Sequence, residues 1–226
     1  MLSKTISYMK WHAQVRMTNG LMRHLVDSLS WKKFDSLHPT FASEHCNIRL
    51  GLASDGFNPF SNMSITHSMW PIVLILYNLP PWLCMKQQFF MLSLLIPGPT
   101  APRNDIDVYL QPLIDELQEL WDHGVTAYDV ASKQNFHMHA AILWTISNLL
   151  AYANLLGWSK NGKFACPSCN KETCSYQLQH GRKFCYMGHR HFLPTNHRFR
   201  YDKTSFNGEE ELRIPPTQLS GVDVLQ

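Results

Sequence analysis

Asp55 is the residue whose position most suggests chemistry in this chain. It lies within Asn47–Phe60, where apolar residues alternate with small or polar ones, the period-two pattern of a β-strand. Asp55-Gly56 predicts a turn at the end of the strand, and Asn58-Pro59 prevents its continuation. A carboxylate fixed at the end of a strand can hold a divalent cation. The alternative is a plain Asp-Gly turn.

The second group that could do chemistry is a Cys-x-x-Cys segment, Cys166–Cys169, followed by Cys185 and His189. The first pair can place two thiolates on one face of a tetrahedral site, and the later Cys and His can close it. We therefore predict a structural zinc knuckle with ligands Cys166, Cys169, Cys185 and His189. Alternatives for the fourth ligand are His180, His191 and His197. Cys174 is expected to be a bystander, and a redox pair or unligated cysteines are the competing interpretations.

Basic residues surround these cysteines. Between Trp158 and Lys203 there are nine Lys or Arg residues against two acids, a composition that suits a polyanion. Five of the cations are predicted to contact DNA: Arg182, Lys183, Arg190, Arg198 and Arg200. Aromatic residues between them could stack on bases, although a solvated basic surface has the same composition. The three glutamates at 209–211 are predicted to form a solvated face.

The composition is that of a folded protein in a reducing compartment. The chain has 226 residues, of which 45% are apolar, so it can form one large domain or two small ones and is not globally disordered. The net charge of +3 identifies no partner. The N-terminus lacks the apolar segment of a signal peptide, and the apolar runs are too short to span a bilayer, so we expect no membrane association. The cysteine spacing is unlike that of a secreted disulfide framework.

Apolar runs predict two further strands after the one that ends near Asp55. These are Ile65–Leu79 and Phe89–Ile96, the second of which stops at Pro97. His139–Leu156 is apolar enough to be a strand, a helix, or one followed by the other. Val125–Tyr128 is too short to assign.

Helical spacing of apolar residues predicts an amphipathic helix over Asp105–Trp121. Pro112 suits a first-turn position, so the firm part of the helix is expected to begin near Gln111, and Gly124 should end it. The polar N-terminal residues 1–46 allow one or two helices that pack on the domain.

Several longer segments occur in a recognisable order along the chain: RLGLASDGFNPF, WPIVLILYNLPPW, LSLLIPGP, NDIDVYLQPLIDELQELW, GWSKNGKFACPSC and CYMGHRHFLP. From about Met9 to the C-terminus, the chain resembles the transposases of plant CACTA-type (En/Spm-like) DNA elements, the Tnp2 type. The resemblance implies an α/β fold with a partial RNase H-like domain, a mixed sheet with flanking helices, plus a small zinc-knuckle module. Strand, strand, strand and helix is also the order in which such a domain begins.

The expected domains follow from that resemblance. They are an N-terminal helical or irregular extension (1–46), the partial RNase H-like core (47–158), the basic zinc-knuckle insertion (159–204) and a tail (205–226). The expected partner is transposon-end DNA, with a possible homo-oligomer, and the expected location is the nucleus.

The resemblance also implies the catalytic chemistry. Transposases of this kind cut and join DNA with three acids that hold two Mg²⁺ or Mn²⁺ ions. Asp55 matches the first acid, and Asn148 stands where the second is expected. The third would lie beyond Gln226. Asp105 and Asp107 are the fallback for the second acid, and helix capping is their alternative role. We therefore expect a truncated, inactive transposase, or else a non-enzymatic zinc-stabilised DNA- or protein-binding module derived from one.

Overall fold

The computed structural model describes residues 7–17, 19–60, 66–130, 132–155, 157, 162–166 and 169–217. The chain divides into two compact units, Met1–Ala151 and Tyr152–Gln226. The predicted N-terminal extension falls within the first of these units together with most of the predicted core, whose residues 152–158 fall in the second. None of the helices in the described ranges has the length and apolar character needed to cross a lipid bilayer.

The first unit combines short helices with one sheet and one separate hairpin. Its helices are α1 (Trp11–Gln14), α2 (Leu29–Leu37), α3 (Pro39–Ser43), α4 (Pro81–Cys84) and α5 (Ile106–Asp122). Its strands are β1 (Ile48–Ser54), β2 (Trp70–Leu76), β3 (Phe90–Ile96), β4 (Val125–Asp129), β5 (Gln134–Met138) and β6 (Ala140–Ser147). Helix α6 (Leu149–Leu155) follows β6 directly.

The main sheet is mixed, with the strand order β3-β2-β1-β6. Strands β1 and β2 are antiparallel, as are β2 and β3, whereas β1 and β6 are parallel. In the parallel pair, Ser54 lies beside Ser147. The residues that follow β1 and β6 therefore leave the sheet at the same edge, side by side.

The predicted strands near Asp55, in Ile65–Leu79 and in Phe89–Ile96 are confirmed as β1, β2 and β3. The ambiguous His139–Leu156 stretch is a strand followed by a helix. Val125–Tyr128 belongs to β4, which pairs with β5 in an antiparallel hairpin. In β1 and β2, aliphatic residues such as Leu50, Leu52 and Ile72 are buried on the sheet.

The predicted helix is present but begins earlier than expected. Helix α5 starts at Ile106, and Pro112 lies inside it. Ile106 and Leu110 are buried, so the first turn contributes apolar contacts that the pyrrolidine ring does not prevent. Pro112 removes the hydrogen bond to Val108, which is exposed, so water can solvate the freed carbonyl.

Helix α5 ends where the sequence predicts. Gly124 has a positive φ of 66° and its N–H donates to the Glu119 carbonyl at 3.1 Å, as in a left-handed helix cap. A Cβ at this position would overlap the rings of His137 and His139. Those two histidines bond the carbonyls at the end of α5, so both are structural.

The core of the first unit is aromatic and aliphatic, with one buried cation. Trp31 packs in a cluster with Val26, Ile75 and Tyr77. Arg49 of β1 is 1% exposed and its guanidinium lies 4.8 Å from the centre of the Trp31 ring.

Polar side chains also fix the ends of the strands in this sheet. Arg49 pairs with Asp35 of α2 at 2.7 Å. Asn47 accepts from the backbone N–H of His139 at 2.7 Å, and Asn78 donates to the Asn47 carbonyl at 2.8 Å. The starts of β1 and β6 are thereby held together with the end of β2.

The second unit is small and has a polar interior. It contains β7 (Ser175–Gln177), β8 (Phe184–Tyr186) and α7 (Arg198–Tyr201), with 3₁₀ turns at Asn170–Glu172 and His189–Phe192. The residues just after 204, predicted to be a tail, fold back onto it: the Glu211 N–H donates to the Arg200 carbonyl at 2.7 Å, and Phe206 packs 6.1 Å from Phe199.

Candidate metal site and nucleic-acid surface

Asp55 follows β1 without the predicted turn. The chain stays extended, and Phe57 and Met69 exchange backbone hydrogen bonds in the same register as β1 and β2. The turn begins only at Pro59. Gly56 permits this path, because a Cβ there would overlap the indole of Trp70. Asp55 is therefore held at the rim of the sheet, where its carboxylate is exposed.

Asn148 lies directly beside Asp55. Its side-chain Nδ2 donates to Asp55 Oδ1 at 2.7 Å. Its Oδ1 accepts from the Ala151 N–H at 2.8 Å, which makes Asn148 the N-cap of α6. Parallel pairing of β1 with β6 produces this contact between residues that are 93 positions apart.

This pair has the wrong charge for two cations. A two-metal site needs several carboxylates to balance the ions and to bind them. Here the amide is neutral, its nitrogen occupies one oxygen of Asp55, and its own oxygen is used by the helix cap. The two residues offer a single negative charge, so they do not fit a two-metal centre.

Asp105 and Asp107 do not complete the site. Asp105 is the N-cap residue of α5, and Asp107 lies in the first turn of that helix. Both carboxylates occupy positions that the helix dipole favours. Across the described ranges, no three His, Cys, Asp or Glu side chains come together as a metal-binding group.

The predicted zinc ligands are brought together only in part. The thiols of Cys166 and Cys169 are within hydrogen-bonding reach, and burial, with a smaller contribution from that hydrogen bond, raises the pKa of Cys169 to about 11. Cys185 lies in β8 opposite Tyr176. Its neighbour Tyr186 points the other way and donates its hydroxyl to the Gly162 carbonyl at 2.9 Å, so Cys185 alternates away from that segment.

His189 starts a 3₁₀ turn and is exposed. The two central residues of the knuckle, 167 and 168, lie outside the described part of the chain. Cys166 and Cys169 fit the two-thiolate half of a zinc site, and the remainder of the ligand set stays a prediction.

Two of the five predicted DNA contacts are used inside the protein. Arg200 is 2% exposed and donates to the carbonyls of His191 and Leu193, both at 3.0 Å, as well as to that of Arg213. Arg190 donates to the carbonyls of three residues, at 2.9 to 3.1 Å: Phe199, Asp202 and Glu209. Arg200 is buried and Arg190 is half-buried, and both guanidiniums are committed to backbone carbonyls, which require donors when they are buried.

The other three predicted contacts, Arg182, Lys183 and Arg198, are exposed. They remain the cations of this set that can reach a phosphate without rearrangement. Arg198 lies over the ring of Phe199, 4.7 Å from its centre, which combines a cation with an exposed aromatic surface.

Family comparison identifies the chain. Residues 19–226 match the family described as transposase family tnp2. The chain belongs to this family. No curated protein and no solved structure matches it. Membership of the tnp2 family makes the chain a transposase-derived protein, and DNA is the partner that such a protein suggests.

Sequence reasoning missed two features of the tnp2 chain. Glu211, predicted to be solvated, is buried and forms a bidentate pair with Arg213 at 2.7 and 2.5 Å. This pairing lowers the pKa of Glu211 to about 2. Tyr176 was also missed, although it is exposed on the hairpin that carries Arg182 and Lys183. Only its place in a basic, acid-free stretch could have indicated it.

Proposed function

We propose that this chain is an RNase H-like core of a CACTA-type DNA transposase whose divalent-metal centre no longer supports cleavage. The ancestral activity is DNA cleavage and strand transfer with Mg²⁺ or Mn²⁺, in the nucleus, on transposon-end DNA. Family membership supports the activity class, and the incompleteness of the carboxylate set supports its loss.

The sheet supports the RNase H-like assignment. Three antiparallel strands are followed by a helix, by the separate β4–β5 hairpin and then by a strand that runs parallel to the first and lies next to it. This arrangement places the ends of β1 and β6 side by side, where two ligands from distant parts of the chain can share a cation.

The observation on which the proposal depends is the 2.7 Å hydrogen bond between Asn148 Nδ2 and Asp55 Oδ1. The Asn148 N–H points at the Asp55 carboxylate. In a site with an acid at both positions, a cation would lie there instead. Asp55 can hold a metal weakly, but without a second negative charge the site cannot balance two ions.

The test is Asn148→Asp, which adds the missing charge and can still cap α6. Mn²⁺ binding is measured by calorimetry on the full chain. We expect the variant to bind Mn²⁺ at least about tenfold more tightly than the native chain. Asn148→Ala is the matched control and should show no gain.

Adding Asp55→Ala to Asn148→Asp should abolish the gain in Mn²⁺ binding. Equal affinity in Asn148→Asp and the native chain would contradict the proposed site. Mn²⁺-dependent nicking of transposon-end DNA by the native chain, lost in Asp55→Ala, would contradict the proposed loss of activity.

A second candidate is a non-enzymatic, zinc-stabilised module that binds DNA or protein. The proximity of the Cys166 and Cys169 thiols favours it, because a metal that displaces both thiol protons can bind the two thiolates together. Purified chain should then contain about one zinc, and less than about 0.3 zinc per chain would exclude the knuckle.

Two serine substitutions can identify the third zinc ligand. Cys185→Ser should lower the zinc content if Cys185 is a ligand, and Cys174→Ser, its matched control, should not. The reverse result would reassign the third ligand to Cys174.

A further inference from the structure

The hairpin of β7 and β8 turns one face to solvent. Tyr176 lies opposite Cys185, and the Leu178 N–H donates to the Lys183 carbonyl at 2.8 Å, which extends the ladder by one pair. Because side chains alternate along strands and paired residues lie on one face, this face carries Tyr176, Leu178, Lys183 and the half-buried Cys185. Tyr176 is 59% exposed and Leu178 is 42% exposed, so an aromatic ring, an alkyl side chain and a cation lie together in water.

The other face of the hairpin is anchored within the second unit. Tyr186 donates to the Gly162 carbonyl at 2.9 Å, and Ser175 is partly buried. The outward face is therefore held in one orientation. Because the base of the hairpin is already fixed, binding of a ligand at its tip costs little conformational entropy.

The tip of the hairpin adds a second cation. Arg182 has a positive φ of 48° and its N–H donates to the Leu178 carbonyl at 3.0 Å. It is exposed, as is Lys183. The sequence has no Asp or Glu between Glu172 and Asp202, so no acid of this stretch neutralises the two cations.

We propose that this face binds unpaired DNA, with a base stacked on Tyr176 and phosphates against Arg182 and Lys183. The inference rests on the proposed function in one respect, that the chain acts on DNA. Stacking needs the face of a base, which a duplex hides and a single strand exposes. Cations alone would bind either form through its phosphates. The ring and the Leu178 side chain thus select the unpaired form.

The hairpin of β4 and β5 provides an internal control. Its Tyr128 is 56% exposed, almost as much as Tyr176, and it also lies in a two-stranded antiparallel ladder. That hairpin carries one lysine, Lys133, and one acid, Asp129, so its own residues add no net charge. It has an exposed ring without an excess of cations.

The experiment measures fluorescence anisotropy of a labelled 20-nucleotide single strand of mixed sequence and of its duplex, titrated with the full chain. The native chain should bind the single strand more tightly. Tyr176→Ala should weaken single-strand binding about tenfold, with little effect on the duplex. Tyr176→Phe should bind like the native chain, and so should Tyr128→Ala.

Replacing Arg182 and Lys183 with alanine should weaken binding of both DNA forms. On the single strand, it should also reduce the slope of log affinity against log salt by about 0.7 for each phosphate that the variant no longer neutralises. Circular dichroism melts should be unchanged in all these variants, because the substituted side chains are exposed.

Three results would overturn the proposal. These are equal single-strand affinity in Tyr176→Ala and Tyr128→Ala, a native preference for the duplex, and no binding of either DNA form. The outcome is separate from that of the metal-site test, because Asn148→Asp does not alter the hairpin and Tyr176→Ala does not alter Asp55.

Discussion

The two units of this chain are built on different kinds of interior. The first buries aliphatic and aromatic side chains such as Trp31, Ile72 and Ile106. In the described part of the second, the buried apolar residues are Ala165 and Cys169, and the other buried side chains are polar: Asn154, Thr173, His191, Arg200 and Glu211. One unit is stabilised by packing and the other by hydrogen bonds to backbone carbonyls.

The difference shows what an arginine contributes in each setting. In the first unit, Arg49 pairs with Asp35, which is partly exposed to water. Its guanidinium also packs against the rings of Trp31 and Phe41. Arg200 in the second unit is the donor for carbonyls that would otherwise be buried and unpaired. A core of packed hydrocarbon tolerates the loss of a cation better than a core made of carbonyls.

The largest expected effect is that of Arg200→Met. Removing the guanidinium leaves about four carbonyls without their donor, at about 1 kcal/mol or more each, so the second unit should lose about 4 kcal/mol of stability. Hydrogen exchange over residues 188–213 should become fast while the sheet of the first unit stays protected. Arg198→Met, an exposed neighbour, is the control. Unchanged exchange in Arg200→Met would refute the view that carbonyl bonds stabilise this unit.

Acid should weaken the first unit through His12. Burial and the nearby charge of Arg49 lower the pKa of this histidine to about 4, whereas an unfolded histidine titrates near 6.5. The unfolded chain therefore binds more protons between these values, and stability is lost as pH falls from about 6.5 to about 4. The loss should reach about 3 kcal/mol.

Tryptophan fluorescence can follow this loss, because six of the seven tryptophans lie in residues 1–151. The His12→Phe variant should show a flatter dependence of unfolding on pH, and the exposed His180→Phe should not. The Glu211 carboxylate in the second unit has its pKa lowered to about 2 by Arg213. Its contribution is complete above about pH 4.5 and is lost only as pH falls towards 2.

The smallest expected effect is that of Arg49→Met, the same substitution in the first unit. Methionine fills much of the volume against Trp31 and Phe41, and Asp35 can be solvated once it loses its partner. The expected loss is about 1 kcal/mol in urea unfolding followed by tryptophan fluorescence. A loss as large as that of Arg200→Met would remove the proposed distinction between the two interiors.

Periodicity was sufficient to predict the local elements of the first unit. Strands β1, β2 and β3 have apolar residues in runs or in alternation, and α5 has them at helical spacing. The predicted start of α5, near Gln111, is too late, because it depends on the preference of Pro112 for a first turn. Burial of Ile106 and Leu110 extends the helix back to Ile106. Propensity is a local quantity, and the burial that overrides it depends on the whole fold.

The candidate site and the second unit were harder to predict for a physical reason. Periodicity cannot say that β1 lies beside β6, and the neighbouring positions of Asp55 and Asn148 followed only from the family resemblance. The bonds of Arg190 and Arg200 end on backbone carbonyls, which every residue has. No side-chain pattern marks those partners, so the sequence alone does not separate an arginine that bonds carbonyls from one that contacts DNA.

The pairing of Asn148 with Asp55 has an evolutionary consequence. Asparagine and aspartate codons differ by a single base, and both side chains begin a helix equally well, so a negative charge could be gained at this position without disturbing the fold. Under the loss of cleavage that we propose, a point change in the gene would return the second acid, and selection against mobility would have to act on other positions as well.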